Sequence, residues 1–522
     1  MSKMKAHIIR ILKFKYLPLI IYSSLILFII ANFFRHFITF GELSVYTTDS
    51  ELWLLRFAAI VRLLVRIVVI SLIYIIYLGK FELHRLYIIV GISFGLFYMI
   101  LISPLSAPDE EHHYNSIVRI TNMISNPFRD NEYVNKRDFD FNELFIQENF
   151  PQSYLRLRDP IFHSGDQTRM PQPEPFDSHY PVHYMPQILG FGLARILQLN
   201  FIWAFFMSRF FNLLFFVICV SIAIQKMPFH KELIFLVALL PIVVQQAASL
   251  SSDSYINGLS ILVFACLMKS IYAEGQMSRR ELLWLLIPLG LLGPAKIIYI
   301  ALALFLILIP KERFPLKYQA YKWKILMIAS TIIPAILIGI PRFFELTTIQ
   351  HTDGLDQGYN YTLGFILGNP LEYFMILIRT IQSNFQIYIE TLIGSHLSGW
   401  SLPIPSYIVY TFIVILLLIA LKPIQATREV TICYRIVALL ISAFVFVAVL
   451  TTMMIAFTTY GMNVILGVQG RYFVPILLPI LLMFHNKVLI IHKDMNRYLL
   501  MIACLLTWRT LEFVLFFTLI RV

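Results

Sequence analysis

Residues 107–113 read "APDEEHH" and put one aspartate, two glutamates and two histidines directly behind an apolar run that ends near Pro104. Carboxylates and imidazoles at that density suit a general base, a divalent-cation site, or both. Pro108 fits the first turn of a helix, and acidic residues beside it are favoured by the helix dipole. At roughly 100° per residue, Asp109, Glu110 and His113 share one helix face, while Glu111 and His112 fall elsewhere. An acidic cap followed by a solvated helix would give the same string.

Three further stretches carry groups of the same kind. In "QQAASLSSDSYINGL" (245–259), Asp253 falls between two apolar runs, behind Gln245 and Gln246. Ser-Ser-Asp-Ser is also plain turn chemistry. In "LLGPAKIIY", Lys296 interrupts an apolar run and could hold a phosphate as a point charge, or reach ordinary lipid headgroups. In "GVQGRYFVPILLP" (467–479), Arg471 follows Gly470 and could bind phosphate oxygens bidentately, or anchor at the interface with Tyr472. Gln469 lies in the same stretch. Arg62 and Arg66, at i and i+4 of an apolar run, share a face that points into a bundle or a polar cavity. His183 and Tyr184 would line the mouth of a cavity or belong to an aromatic belt.

The elements that must position these residues are set by composition. The 522 residues are 58% apolar and 14% charged, against about 25% charged in soluble domains. Mean hydropathy is +0.74. The expected class is an all-α polytopic membrane protein. Apolar runs lie near 16–34, 54–79, 86–104, 202–225, 232–252, 254–273, 324–341, 406–421, 433–457, 473–485 and 498–520. The run 282–309 is broken by "GPAK" and reads as two short helices around a tip at Lys296, which brings the expected count to about 13 spans.

The net charge of +12 gives no nucleic-acid signal, because the basic residues sit in short tracts between apolar runs. The first tract, "MSKMKAHIIRILKFK", has five basic residues and no acid. Placing every such tract in the cytoplasm puts the N-terminus inside, the C-terminus outside, and 105–201 and 342–405 on the extracytoplasmic face. The first of these is a large loop, with 13 of the chain's 30 acidic residues between 105 and 180. Its tail, 180–199, would invert everything downstream if it spanned, so it reads as an interfacial or re-entrant helix. The four cysteines lie inside apolar runs without metal-ligand spacing. No P-loop or HExxH occurs, and no soluble segment is long enough for a nucleotide-binding βαβ unit.

With these residues assembled, the chain resembles the GT-C superfamily of polytopic glycosyltransferases. More narrowly, it is similar to a bacterial family of conserved membrane proteins of unknown function. The resemblance rests on "PDEEHH", "YPVHYMP", "QQAASLSSD", "GPAKIIY" and "VQGRYFVP", in that order, and runs from about 86 to 485. Val182 stands where that family tends to have a second proline. Residues 1–85 then form a two-helix addition, 86–485 the GT-C-like core, and 486–522 a cytoplasmic loop and last span.

The resemblance implies an outer-face, multi-pass plasma-membrane enzyme. It would take a sugar from a polyprenyl-phosphate or diphosphate carrier and give it to an envelope glycan or glycolipid, probing no nucleic acid. It assigns Asp109 as general base or metal ligand, with Glu110 and His113 as partners, and Asp253 as a second carboxylate. A divalent cation, magnesium or manganese, would sit on Asp109, Glu110 and His113. Arg471 and Lys296 would hold the donor phosphate, with Gln469 and Tyr184 beside the substrate. An envelope-glycolipid transporter or flippase, and a non-catalytic assembly protein, are the competing classes.

Overall fold

A chain segment surrounded by lipid must satisfy every backbone N–H and C=O within itself, so apolar runs of this length become helices. The computed structural model describes residues 2–43, 48–125, 133–135, 150–158, 168–171, 181–348, 360–423, 429–486 and 488–520. The helices are α1 (Ser2–Leu43), α2 (Asp49–Leu78), α3 (Leu83–Leu101), α4 (Glu110–Ser125), α5 (Phe150–Arg158) and α6 (Met185–Ile196). They continue with α7 (Phe201–Lys226), α8 (Lys231–Val237), α9 (Pro241–Ala247), α10 (Asp253–Tyr272), α11 (Arg279–Ala295) and α12 (Ala320–Thr348). The last are α13 (Leu363–Gly368), α14 (Pro370–Ile393), α15 (Ser406–Ala420), α16 (Ile432–Phe457), α17 (Val474–Leu482) and α18 (Lys493–Leu515). Strands occur among the described residues only as short pairs, such as His396–Leu397 against Leu402–Pro403.

The protein is an all-α polytopic membrane protein. Eight helices among the described residues are long and apolar enough to cross a membrane: α1, α2, α3, α7, α10, α12, α16 and α18. The count of 13 is therefore not matched helix for helix. Run 232–252 is the clearest departure. Pro241 cannot continue the preceding turn, and Leu240 before it is driven to ψ 136°, so the run splits into α8 and α9. Run 473–485 gives only the nine residues of α17 behind a 3-10 turn at Gly470–Phe473. Run 406–421 gives the 15 residues of α15, short of the about 20 that a span requires.

Run 282–309 breaks at Lys296, which is extended (φ −160°, ψ 109°) between α11 and a 3-10 segment, Ile297–Leu308. Of segment 180–199, the described residues fold as a 3-10 turn (Pro181–Tyr184) and α6, whose 12 residues reach about 18 Å, well under a membrane thickness. The expected loop 342–405 contains a helix the apolar runs did not disclose. α14 buries Ile376, Thr380, Tyr388 and Thr391 on one stripe and carries polar residues between them. Within 105–201, residues 126–132, 136–149, 159–167 and 172–180 lie outside the described residues, as do 349–359 of "IQHTDGLDQGYNYT".

Helix α10 is the hub. Its apolar window is 89% buried, whereas that of α1 is 6% buried, so α10 is packed on all sides and α1 lies at the periphery. α7 packs between α3 and α10 and also carries α6. Around α10 gather α9, α11, the 3-10 segment Ile297–Leu308 and α17. The residues of interest therefore sit on elements that share one centre.

Candidate functional site

The chain leaves α3 at Leu101 and turns twice through the left-handed region, at Leu105 (φ 59°) and Asp109 (φ 60°), before α4 begins at Glu110. A left-handed residue is not helical, so Asp109 does not share the face of α4 with Glu110 and His113. Aspartate tolerates this conformation better than most residues. The helical projection of the three onto one face is thereby corrected.

Glu110 turns inward. Its Oε1 accepts from Arg209 Nε at 2.9 Å and its Oε2 from Arg209 Nη2 at 2.6 Å, with both side chains fully buried. Oε1 also accepts the Leu250 N–H at 3.0 Å. Arg209 gives its remaining donors to the carbonyls of Met99, Ile102 and Ser103 at the end of α3. All five guanidinium N–H groups are thus used. This pair ties α3, α4, α7 and the 249–251 turn together. It engages both oxygens of Glu110 in a buried ion pair, where the sequence led one to expect a partner of Asp109. Arg209 was missed by the sequence reading, although an arginine in the middle of an apolar span is itself a signal.

Asp109 turns outward and meets Arg471, which links it to residues from two other stretches. Its Oδ2 accepts from Arg471 Nη2 at 2.7 Å. Arg471 sits in the 3-10 turn Gly470–Phe473, pressed against α14. Gly470 is required there, because a Cβ would overlap the backbone of Tyr388 and Leu392. Asp253 opens α10, and its Oδ2 accepts from Gln246 Nε2 at 2.9 Å and lies 3.7 Å from Arg471 Nε. Lys296 Nζ stands 3.9 Å from Asp253 Oδ1 and 4.6 Å from the ring of Tyr472. Tyr299 Oη donates to the Tyr472 carbonyl at 2.7 Å and locks the 3-10 segment to the arginine turn. Asp109, Asp253, Lys296 and Arg471, from four separate stretches, form one cluster.

Exposure grades across it. The side chain of Asp109 is 58% exposed, Lys296 32%, Asp253 15% and Arg471 3%. Arg471 Nε is buried without a hydrogen bond among the described residues. Two carboxylates and two cations balance in charge, so the cluster is neutral but incompletely hydrogen-bonded. Partial desolvation works to raise the Asp109 pKa, but the charge and hydrogen bond of Arg471, with smaller contributions from His113 and His112, hold it below the ordinary carboxylate value. The residue is an exposed carboxylate kept ionised.

The supporting turn is knit by side-chain amides. Asn212 Nδ2 donates to the carbonyl of Ser249 at 2.7 Å, Gln187 Nε2 to that of Leu250 at 3.3 Å, and Asn257 Nδ2 to Gln246 Oε1 at 2.9 Å. A hairpin from α14 to α15 adds a rim. Ser398 N–H donates to Gln245 Oε1 at 2.9 Å, and Ser398 Oγ donates to Ser106 Oγ at 2.6 Å. Its tip carries Ser398 (φ 51°) and Trp400 (φ 76°) in the left-handed region, and Trp400 is 45% exposed. A bulky residue in that region is an outlier, held there only by its surroundings. The sequence reading placed this hairpin outside but singled out none of its residues.

His113 and Tyr184 are both buried, and His113 Nδ1 lies 2.6 Å from Tyr184 Oη. They clamp α4 to the turn Pro181–Tyr184. Gln469 is half-buried, two residues before Arg471. Among the described residues no three His, Cys, Asp or Glu side chains are grouped as a cation site. Glu110 is spent on Arg209 and His113 is turned to Tyr184, so the set Asp109, Glu110 and His113 does not fit a divalent cation.

Residues 92–480 match the model of a family described as a predicted membrane protein, DUF2142. The chain belongs to that family. The match includes all four cluster residues and begins inside α3, leaving α1 and α2 before it and α18 after it. No curated protein and no solved structure matches the chain.

Proposed function

We propose that this chain is a GT-C-type glycosyltransferase, moving a sugar from a polyprenyl-phosphate or diphosphate carrier to an envelope glycan or glycolipid at the extracytoplasmic face. The observation that supports it is the convergence of an exposed, ionised Asp109 with the buried Arg471, whose Nε lacks a hydrogen bond among the described residues. A lipid-linked donor requires cations for its phosphate and a carboxylate for the acceptor hydroxyl, and no nucleotide fold. In this reading the N-terminus is cytoplasmic, the C-terminus outside, and the core spans 86–485 with flanking additions.

Each group then has a task. Arg471 and Lys296 bind the phosphate of the donor, the arginine by its fork and the lysine as a point charge. Asp253, held by Gln246, keeps both cations aimed at one point. Asp109 accepts the proton of the acceptor hydroxyl as its oxygen attacks the anomeric carbon. The bond from that carbon to the phosphate oxygen breaks, and its electron pair stays on the phosphate, where the two cations stabilise the growing charge. The products are a glycoside and the free carrier, with configuration inverted. The exposed ring of Trp400 on the neighbouring rim offers a face for the sugar.

Purified protein incubated with radiolabelled polyprenyl-phosphate sugars tests this. Label should move to acceptor, and Asp109→Asn should stop it while expression and membrane insertion stay normal. Carrier movement across sealed vesicles without any new glycosidic bond would replace the proposal with a transporter.

A further inference from the structure

A second charged cluster lies outside the family-matched region, on the flanking helices. Arg62 and Arg66 of α2 both face Glu512 of α18, with Arg62 Nε 3.2 Å from Oε2 and Arg66 Nε 3.1 Å from Oε1. Trp508 Nε1 also donates to Oε1 at 3.3 Å. Glu512 is nearly buried, and each arginine is about one-third exposed. Among the described residues, two guanidiniums against one carboxylate leave one uncompensated positive charge in an apolar helix layer. Intramembrane charges of this kind are costly and are retained where they serve a partner. Arg62 Nε is in addition buried without a hydrogen bond among the described residues.

The two arginines line a crevice of about 110 Å³, walled on the other side by α1 through Ile29, Asn32 and Phe33. That volume is several times what a single water requires. α1 is held to α2 through Tyr22, whose hydroxyl lies 3.0 Å from Ser71 Oγ and whose ring stacks on Tyr74. Its remaining lining is largely apolar, including Leu55, Leu63 and Ile520. Depth can be read from neighbours. Phe57 meets the ring of Tyr154, whose hydroxyl donates to the Ile100 carbonyl at the end of α3. Arg62 is five residues further along α2, about 7.5 Å deeper. Arg66, nine residues beyond Phe57, is about 13.5 Å deeper, so the crevice runs from below the face that carries Asp109 toward the middle of α2.

We propose that this crevice binds the phosphate group of an anionic lipid, with Arg62 and Arg66 as its ligands and Glu512 as the resident counter-ion. Arginine is the side chain whose fork matches phosphate oxygens, and a pair at i, i+4 presents two forks on one face. The incoming charge supplies the negative charge the cluster lacks, and the apolar walls take the chains of the lipid. The site is independent of sugar transfer.

The full chain, purified in detergent, is incubated with mixed micelles of phosphatidylglycerol and phosphatidylcholine, and bound lipid is counted by native mass spectrometry. Wild type should retain phosphatidylglycerol in preference to phosphatidylcholine, and Arg62→Gln/Arg66→Gln should lose about tenfold of that retention, the equivalent of ~1.4 kcal/mol. A parallel arm measures inorganic phosphate binding. Arginine-dependent retention of the lipid alone identifies a headgroup as the source, and arginine-dependent binding of inorganic phosphate identifies a free anion. Glu512→Gln guards against a variant that fails to fold, because it keeps both arginines and removes their competitor. It should raise retention of the anion. Retention unchanged in the arginine variant, or lowered in Glu512→Gln, would overturn the proposal and leave the cluster an interhelical clamp.

Discussion

Asp109 and Glu110 are adjacent, bear the same functional group, and each faces an arginine, yet their surroundings differ at every level. Glu110 is sealed with Arg209: every guanidinium N–H is used, and both carboxylate oxygens accept. Asp109 is open to solvent and shares Arg471 with Asp253, and the arginine keeps a buried donor unbonded among the described residues. A saturated pair in a dry core holds helices together. An unsaturated pair at a surface can exchange its partner for a substrate. One backbone feature separates them: the left-handed turn at Asp109, which points successive side chains to opposite sides of the α3–α4 junction.

The comparison can be broken most sharply by exchanging the roles. Asp109→Asn should lower transfer by about 10²–10⁴-fold, the usual range for a lost general base, and barely move the melting temperature. Glu110→Gln should do the reverse, weakening the fold with surviving activity proportional to folded protein. A well-folded, inactive Glu110→Gln would return that residue to the chemistry. Next in size, Arg209→Met strands a buried carboxylate and should cost about 3–5 kcal/mol, read by thermal melting in detergent. Adding Glu110→Met should recover a large part of that loss, and no recovery would mean the two residues act separately.

The open cluster makes its own demands. Because Arg471 depresses the Asp109 pKa, the carboxylate stays ionised as pH falls below the ordinary range for aspartate, and activity should persist there. In Arg471→Gln the folded-state pKa rises, so the acidic limb of the residual kcat/KM profile should move to higher pH. A limb that stays in place would separate Asp109 from the rate. The smallest effect is expected at the rim. Trp400→Ala should raise KM by about 3–10-fold with kcat little changed, in line with about 1 kcal/mol for an aromatic face, and Trp400→Phe should retain most of the affinity.

The readable part of the fold was the part that follows from local composition. Long apolar runs at 54–79, 202–225, 254–273 and 433–457 became α2, α7, α10 and α16 within a few residues. Run 232–252 misled because hydropathy does not register that Pro241 interrupts a helix. α14 escaped because a stripe of buried residues among polar ones looks like a loop to an apolar-run count. In the cluster, Asp109, Asp253, Lys296 and Arg471 were legible as charges misplaced in an apolar chain. Arg209 was equally misplaced and went unread, since nothing local shows that it lies against Glu110, 99 positions away.

The sequence by itself determined the environment of this protein and the residues too costly to keep there without a task. Burial cost is a property of each side chain and its immediate neighbours, and the chain carries that information in order. Only the tertiary structure decided which carboxylate is spent and which is free. That depends on a single left-handed residue and on which arginine the packing of α3, α7 and the 470–473 turn brings within 3 Å of each, at sequence separations of 99 and 362.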